Sequence, residues 1–530
     1  MSKGKHSHEQ RQTQLSKDRP DAGDEVFALA EEVEEGRGSD SGEEEAGEVI
    51  GMSRRKLALV ILFGLIVLLL QTKPIYDVDF FWQLKAGELT LERGELIRKD
   101  LFTSTHPGDP VPPIGWAAQV VYAVVHQIGS WRLLHQLNAV IFAGALLAAA
   151  LAVKDRETSL RGSLAAVALA ALVVMPHCDV RPQTFALFAF ALLLLVAEIR
   201  LRPALKLAVA AVILVVWQNM HPSWMLAAAV FGARAGAGWL RWLFDRQADK
   251  PWLASGLVLM AVLSAMATPM GWTIFDSTGG NAQIARELEA SEWMPLWHAK
   301  ALDAGAKLAW VALGVSVVLL GVLRRRVRLE DLATFVVTAA ISLPIYRLSL
   351  FMAVAMVPVW SRWIAEAWPA SSDTPDEAAS KPAVPLRRSF ALGVAAIVLI
   401  GALALPRLAG FPLFHGHFPF VGMEAMRKAG IVGTIYNYRE WGGPLIWKGY
   451  PGWKVTIDGR LYLFEREQWN RYEEIRMGRV PVAQIECWYE PDAFFLRPGH
   501  DGRLIRLLRD SRAWQELHSD RNSAVFVRTR

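Results

Sequence analysis

Two aspartates one residue apart, Asp77 and Asp79, are the pattern in this sequence with the most direct chemical use. In an extended segment alternate side chains share a side, so Asp-Val-Asp could present both carboxylates together. Such a pair can bind a divalent cation, or one carboxylate can have a raised pKa and act as a general base. The alternative is a capping pair at the start of the helix predicted over DVDFFWQLKAGELTLERGELI. The residues alone leave both interpretations open.

Arginines suited to phosphate lie further along the chain, beside the ends of apolar runs. Arg181 and Arg347 fit this role because the planar guanidinium group can bind two oxygens at once. His221 could assist them. Structural roles are also open: Arg347 as an anchor to lipid headgroups, and His221 as a helix cap. Arg181 could instead pair with Asp179.

Apolar runs must position these side chains. Hydrophobic residues make up 53% of the 530 residues, above the roughly 45–50% of a soluble domain. The excess lies in runs close to the ~20 residues that cross a bilayer, which predicts an α-helical polytopic membrane protein with about eleven spans. The predicted spans are Leu57–Leu70, Leu133–Val153, Leu164–Met175, Phe185–Ile199, Leu207–Trp217, Trp224–Leu240, Trp252–Ala267, Leu308–Leu323, Leu332–Ile345, Leu348–Trp363 and Phe390–Leu405.

Lysine and arginine in the loops predict the orientation of the spans. Basic residues at 54–56 precede the first span, so the positive-inside rule places the N-terminus in the cytoplasm. The loops that then fall inside all carry Lys or Arg: VKDRETSLR, EIRLRPALK, LRWLFDRQADK, RRRVRLED and the segment ending PLRR. The outer loops carry the ionisable residues introduced above, and such groups at membrane ends tend to be functional. An odd number of spans predicts a multi-pass protein of the cell inner membrane with a periplasmic C-terminus.

Three regions follow from this topology. Residues 1–50 are acidic and poor in apolar side chains, which predicts a disordered cytoplasmic tail. Residues 51–405 form the membrane domain. It has a long first outer loop, 72–131, with a short interfacial or re-entrant helix at Trp116–Ile128. Residues 406–530 are expected to form an extracytoplasmic α/β domain with its own core.

Turn residues divide that last region into short elements. GMEAMRKAG, EREQWNRYEEIRMG and RLIRLLRD are predicted helices, and PLIWK, WKVTID, DAFFL and SAVFV are predicted strands. Asp458-Gly459-Arg460 follows a predicted strand. It is either a group of site residues or a tight turn with a salt bridge.

Other classes of protein are excluded or disfavoured. Two cysteines, Cys178 and Cys487, provide neither a disulfide framework nor a metal cluster. The sequence has no P-loop, no GxGxxG after a strand and no HExxH, so any reaction would draw its energy from an activated donor. The basic balance lies in short loops, which suits membrane topology rather than binding to nucleic acid.

The order of the outer motifs resembles the glycosyltransferase C superfamily, and more narrowly a bacterial integral-membrane branch of it. The matching positions are Asp77, Asp79, Trp82, Asp100, Phe102, Ser104, Thr105, Arg181, Pro182, Asn219, His221, Glu292 and Trp293, followed by Trp441, Gly442, Gly443, Asp458, Gly459 and Arg460. The sequence departs from the pattern at Ser104, which is one place late, and at Met220, which separates Asn219 from His221. Gln83 stands where a histidine is usual, which puts a histidine role there in doubt.

The resemblance implies an inverting glycosyltransferase with a polyprenyl-phosphate-linked sugar donor, working on the extracytoplasmic side. It implies that Asp77 or Asp79 is the general base, and we favour Asp77, which is nearer the membrane exit. A divalent cation at these two aspartates is left open. The residues expected to contact substrate or phosphate are Arg181, His221, Arg347, Asp100, Trp82 and Glu292.

The resulting hypothesis is sugar transfer from this lipid-linked donor to an envelope acceptor, either a glycan or a lipid. Membrane lipids are the other expected partners. Two alternatives stay open. One is a transporter or flippase for lipid or polysaccharide, which would carry ionisable groups near the membrane centre. The other is a non-catalytic scaffold for envelope assembly.

Overall fold

The computed structural model describes residues 54–287, 290–298, 304–369 and 388–529. The predicted acidic tail, residues 1–50, lies outside this part of the chain. So does most of the segment that ends in PLRR.

Each of the eleven predicted spans coincides with a helix. By length and composition, six helices among the described residues could cross a membrane, and three more are apolar but shorter. The helices that match the predicted spans are α1 (Arg54–Thr72), α3 (Trp116–Leu151), α4 (Leu160–Val174), α5 (Gln183–Glu198), α6 (Pro203–Met220), α7 (Trp224–Phe244), α8 (Trp252–Ala265), α10 (Ala304–Leu323), α11 (Leu329–Ser342), α12 (Ser349–Ala367) and α13 (Arg388–Leu408).

Two further helices belong to loops. They are α2 (Phe80–Arg93), in the first predicted outer loop, and α9 (Ile274–Glu287), between α8 and α10. The predicted short helix at Trp116–Ile128 is the first arm of α3. It is set off from the second arm by a kink at Gly129 and Ser130, where the backbone leaves the helical region and Ser130 has φ 57°.

Three of the basic segments predicted to be inside, around Arg55, Asp155 and Arg328, lie together at one end of the helices. Arg55 donates to Asp155 at 2.5 Å, and Arg328 donates to Glu157 at 3.3 Å. The Thr158 hydroxyl donates to the carbonyl of Ser361 at 2.9 Å. These contacts join the predicted cytoplasmic ends of α1, α3, α11 and α12, so the helix ends separate into the two faces that the charge pattern predicts.

The C-terminal part contains a mixed sheet of five strands with helices around it. The strand order is β2-β1-β3-β5-β4; β1 is parallel to β2 and β3, whereas β5 is antiparallel to β3 and β4. The elements in chain order are α14 (Phe420–Lys428), β1 (Gly433–Asn437), α15 (Gly442–Gly449), β2 (Trp453–Val455), α16 (Arg466–Arg476), α17 (Val482–Tyr489), β3 (Ala493–Leu496), α18 (Pro498–Asp510), β4 (Trp514–Ser519) and β5 (Ala524–Arg528).

One predicted strand is wrong. PLIWK forms part of α15, with Leu445 and Ile446 buried in the core next to Trp441. A short apolar run fits a buried helix as well as a buried strand, so its pattern could not separate the two. The strands β1 and β4 were not predicted, whereas WKV, AFFL and AVFVR are strands as expected.

The first outer loop continues this sheet beyond β2. The amide of Val455 donates to the carbonyl of Phe102 at 3.1 Å, and the amide of Ser104 donates to the carbonyl of Val455 at 2.9 Å. The Thr105 hydroxyl donates to the carbonyl of Thr456 at 3.0 Å. The KDLFTST motif is therefore an extra edge segment, which ties the loop between α1 and α3 to the C-terminal sheet.

Candidate active site

Four predicted outer loops meet at the helix ends opposite the basic loops. Asp77 and Asp79 lie between α1 and α2, and Arg181 lies just before α5. Glu292 is in a 3-10 turn, Ser291–Trp293, after α9, and Arg347 is in a second turn, Tyr346–Leu348, before α12. These four loops converge, and their charged side chains form one network.

Glu292 is the centre of that network. One of its oxygens accepts from Nη1 of Arg181 at 2.6 Å, and the other accepts from Nη1 of Arg347 at 2.7 Å. Although burial opposes it, the charges of both arginines lower the pKa of Glu292 to about 2. A permanently ionised carboxylate thus holds two guanidinium groups side by side.

Both arginines keep hydrogen-bonding capacity. The Nε of Arg181 binds Asp77 and the Nε of Arg347 binds Gln183. Within the described ranges neither Nη2 has a protein partner. The Arg347 guanidinium also lies 5.8 Å from the ring of Trp293. Two oriented cations with free donors can bind an anion that has several oxygens, as phosphate does.

Asp77 both caps the start of α2 and pairs with an arginine. One of its oxygens accepts from the backbone N–H of Phe80 at 2.8 Å, at the first turn of α2, and the other accepts from Arg181. The side chain is buried, with 3% of its surface exposed. Arg181 therefore pairs with Asp77 and not with Asp179. Each of the two Asp77 oxygens thus has a protein partner.

Asp79 differs from Asp77 although it is only two residues away. In the part of the chain that the structure describes, its carboxylate has no hydrogen-bond partner. Burial, together with the neighbouring charge of Asp77, raises the pKa of Asp79 to about 7, against the opposing charge of Arg181. A half-buried carboxylate with a pKa near neutrality is suited to accept a proton.

The two C-terminal glycine motifs lie against these aspartates. A Cβ atom on Gly459 would lie 1.8 Å from Oδ1 of Asp79, and one on Gly443 would lie 2.1 Å from the carbonyl oxygen of Val78. Side chains at these positions would push the Asp-Val-Asp segment away. The WGG and DGR motifs thus have a common physical reason, which is close approach to the first outer loop.

Gly459→Ala is expected to reduce the sugar transfer that the motif resemblance implies by about tenfold, with a small change in melting temperature, because its methyl group occupies the place of the Asp79 carboxylate. Initial rates and thermal unfolding of the purified protein measure the two effects. Gly502→Ala is the matched control, since a Cβ there meets no atom within 4 Å. Equal rates for the two variants would show that the close approach of Gly459 has no role.

Arg460 forms a second ion cluster below the aspartates. Its guanidinium donates to Asp458 at 2.6 Å and contacts Asp100 at 2.7 Å, and all three side chains are almost fully buried. Asp100 also accepts from the amide of Thr103 at 2.9 Å. DGR thus forms a turn with a salt bridge, and the structure places Asp100 in this ion cluster, not beside the arginine pair.

Trp82 and His221 also have mainly structural surroundings. Trp82 packs in the core of the C-terminal part, with the Arg460 guanidinium 5.7 Å from its ring. Nδ1 of His221 lies 3.0 Å from the Ser223 hydroxyl, where α7 begins. Burial, with the charge of Arg347, lowers the pKa of His221 to about 3, so this histidine is neutral and adds no positive charge.

The aspartate pair fits a divalent cation poorly. One carboxylate of the pair is already neutralised by Arg181, and no group of three or more His, Cys, Asp or Glu side chains could hold a metal ion in the described ranges. A cation held by Asp79 alone would lack the several oxygen ligands that Mg²⁺ or Ca²⁺ takes. We therefore derive no step through a metal.

The helix bundle with its C-terminal sheet has a fold that is also found in solved structures of other proteins. No protein-family model and no curated protein matches the sequence. The likeness is therefore one of solved structures, and it concerns the fold alone.

Two of the matching structures are crystal structures of the oligosaccharyltransferase from Archaeoglobus fulgidus. The match to the apo form covers 83% of this chain and 69% of the oligosaccharyltransferase chain, with a TM-score of 0.51 and 11% sequence identity. The match to the form tethered to an acceptor peptide with an NVT sequon covers 90% of this chain and 74% of the other, with a TM-score of 0.52 and 10% sequence identity. ArnT from Cupriavidus metallidurans bound to undecaprenyl phosphate matches 89% and 97%, at TM-score 0.45 and 14% identity.

Proposed function

We propose that this protein is an inverting membrane glycosyltransferase. It transfers a sugar from a polyprenyl-phosphate-linked donor to an acceptor of the cell envelope on the periplasmic side. The observation that carries the proposal is the unpaired carboxylate of Asp79 beside two arginines that share Glu292. A fold shared with an oligosaccharyltransferase supports the same class of reaction.

The arrangement matches the needs of such a transfer. Asp79 removes the proton from the acceptor hydroxyl, whose oxygen bonds to the anomeric carbon of the sugar. The bond from that carbon to the phosphate oxygen breaks, and the lipid phosphate leaves with the electron pair. The free donors of Arg181 and Arg347 stabilise the negative charge that develops on this phosphate.

Asp79 replaces Asp77 as our choice of base. Asp77 is held by the N–H of Phe80 and by Arg181, so its oxygens are occupied. Its negative charge instead contributes to the raised pKa of Asp79 and orients Arg181. Asp77 is thus a positioning residue in the proposed reaction.

The proposal is tested with the purified protein in nanodiscs, undecaprenyl-phosphate donors that carry a panel of radiolabelled sugars, and glycan and lipid acceptors from the cell envelope. We expect loss of label from the lipid, and Arg181→Gln should lower that rate about 100-fold, because one preorganised donor to a developing charge is worth roughly 10²–10³ in rate. Arg407→Gln is the control, since Arg407 is exposed at the end of α13. If wild-type protein consumes no donor, or Arg181→Gln matches the control, the proposal fails.

One observation favours the transporter alternative. Arg362 forms a bidentate pair with Asp331, and Arg234, in the middle of α7, donates to Thr334 at 3.1 Å. Ionisable groups inside membrane helices often serve transport. Donor-independent movement of lipid across proteoliposomes, lost in Arg234→Met, would support that function.

A further inference from the structure

A cavity of about 440 Å³ opens beside the proposed active site. Three separate parts of the chain line it: the first outer loop at His106 and Asp109, α9 at Ile284 and Glu287, and the C-terminal segment from Tyr462 to Asn470. The volume lies in the ~300–1,000 Å³ range of pockets that bind small ligands.

The walls combine aromatic rings with fixed polar groups. Tyr462, Phe464 and Trp469 supply the rings. His106 is held in place, because Nδ1 lies 2.8 Å from Asp109 and Nε2 lies 3.0 Å from Gln468. Rings with rigid hydrogen-bonding groups match the apolar faces and the hydroxyls of a sugar.

A short stretch of backbone connects this cavity to Asp79. Gly459 lies against the Asp79 carboxylate, and three residues later Tyr462 lines the cavity. Burial raises the pKa of Tyr462, and the charge of Asp79 is among those that raise it further. The turn Leu461–Leu463 also packs against α9. A ligand in the cavity would therefore have one end near the proposed base.

We propose that this cavity is the acceptor subsite and that the acceptor is a saccharide. The inference rests on the proposed function and specifies its acceptor class. A lipid hydroxyl fits less well, because Asp109, Glu287 and Arg466 put charges around the cavity. A peptide added as a strand fits less well too, since the sheet edge at β2 is already taken by Phe102–Thr105.

The test fills the cavity from its exposed rim. Asn470→Trp places a large ring in the cavity, and Glu474→Trp places the same ring one turn further along α16, outside the lining. The purified protein receives the undecaprenyl-phosphate donor with one of three acceptors. These are p-nitrophenyl glycosides, a serine-containing peptide, and decanol. Transfer to acceptor and hydrolysis of donor are measured separately.

We expect transfer to the glycosides, with KM raised at least tenfold by Asn470→Trp and unchanged by Glu474→Trp. Donor hydrolysis should be equal in both variants. Transfer to peptide or decanol that Asn470→Trp blocks, with glycosides unused, overturns the saccharide assignment. Glycoside transfer that is insensitive to Asn470→Trp overturns the location.

A binding measurement separates this inference from the proposed function. Saturation-transfer NMR with maltose, cellobiose and lactose needs no turnover of donor. Binding of at least one disaccharide to wild type and to Glu474→Trp, but not to Asn470→Trp, supports the cavity even if no donor is consumed. If none of the disaccharides binds and Asn470→Trp leaves transfer unchanged, the cavity is not the acceptor subsite. Consumption of donor by the wild type would still support the proposed glycosyltransferase function.

Discussion

Asp79→Asn is expected to lower sugar transfer by a factor of about 10²–10⁴, the usual contribution of a general base. The substitution keeps the size of the side chain and removes only its ability to take a proton. Its neighbours favour a correct fold, because Asp79 has no hydrogen bond to lose in the described part of the chain. The rate of transfer from the lipid-linked donor, at saturating acceptor, is the measurement.

The pH dependence of the transfer rate tests whether Asp79 is the base. The base must be ionised, and the pKa of Asp79 is raised to about 7, so transfer should rise with pH and reach half its maximum near pH 7. Asp77→Asn removes a neighbouring negative charge, so the pKa of Asp79 falls. The rising limb of the pH–rate profile should therefore move to lower pH. A profile without a limb between pH 5 and 8 would contradict the assignment.

Stability provides an independent check. The folded-state pKa of Asp79 is above its ordinary value of 3.8, so the folded protein binds the extra proton and loses stability as pH rises from about 4 to about 7. Asp79→Asn removes that loss, and its melting temperature at pH 8 should equal or exceed that of wild type. A variant that is inactive because it is unfolded would show the opposite.

The helices were predictable because their signal is local. Hydropathy alone predicts the helices from α1 to α13, except for the loop helices α2 and α9. The alternation of basic loops then divides the helix ends into two faces. That division places Asp77, Arg181, Glu292 and Arg347 at the same face, and the structure joins them there by ion pairs. No pairwise distance was needed for this, since opposite ends of a span cannot mix.

The finer assignment of roles was not predictable, because it depends on contacts distant in sequence. Asp77 and Asp79 are equivalent in sequence, and only the positions of Arg181 and Gly459 separate the paired carboxylate from the free one. Similarly, nothing local marks KDLFTST as an edge segment of a sheet more than 300 residues away. The motif resemblance predicts that Asp100 binds ligand, whereas the structure pairs it with Arg460, which lies in that distant segment.

This long-range pairing also explains why the C-terminal WGG and DGR motifs occur together with the motifs of the first outer loop. Gly443 and Gly459 allow the first loop to approach, and Asp458 and Arg460 hold Asp100 in that loop. The C-terminal part is thus a wall of the site that contains Asp79, not a separate appendage.

Arg460→Met is expected to be the most destabilising change at this wall. It leaves the carboxylates of Asp100 and Asp458 buried and close together without a cation, where both side chains are 0% exposed. Breaking a buried ion pair on one side costs about 3–5 kcal/mol. The variant should show a lower melting temperature and faster proteolysis after residue 405, and transfer should fall because Gly459 no longer frames Asp79.

The effect of the unpaired charges in Arg460→Met can be separated from the effect of lost packing by neutralising Asp100 and Asp458. Asp100→Asn and Asp458→Asn, combined with Arg460→Met, remove both stranded charges while Asn keeps an acceptor for the amide of Thr103. The triple variant should therefore be more stable than Arg460→Met alone, although it carries two more substitutions. If it is less stable, the cluster acts through the packing of the Arg460 side chain on Trp82 and Phe102, not through its charge.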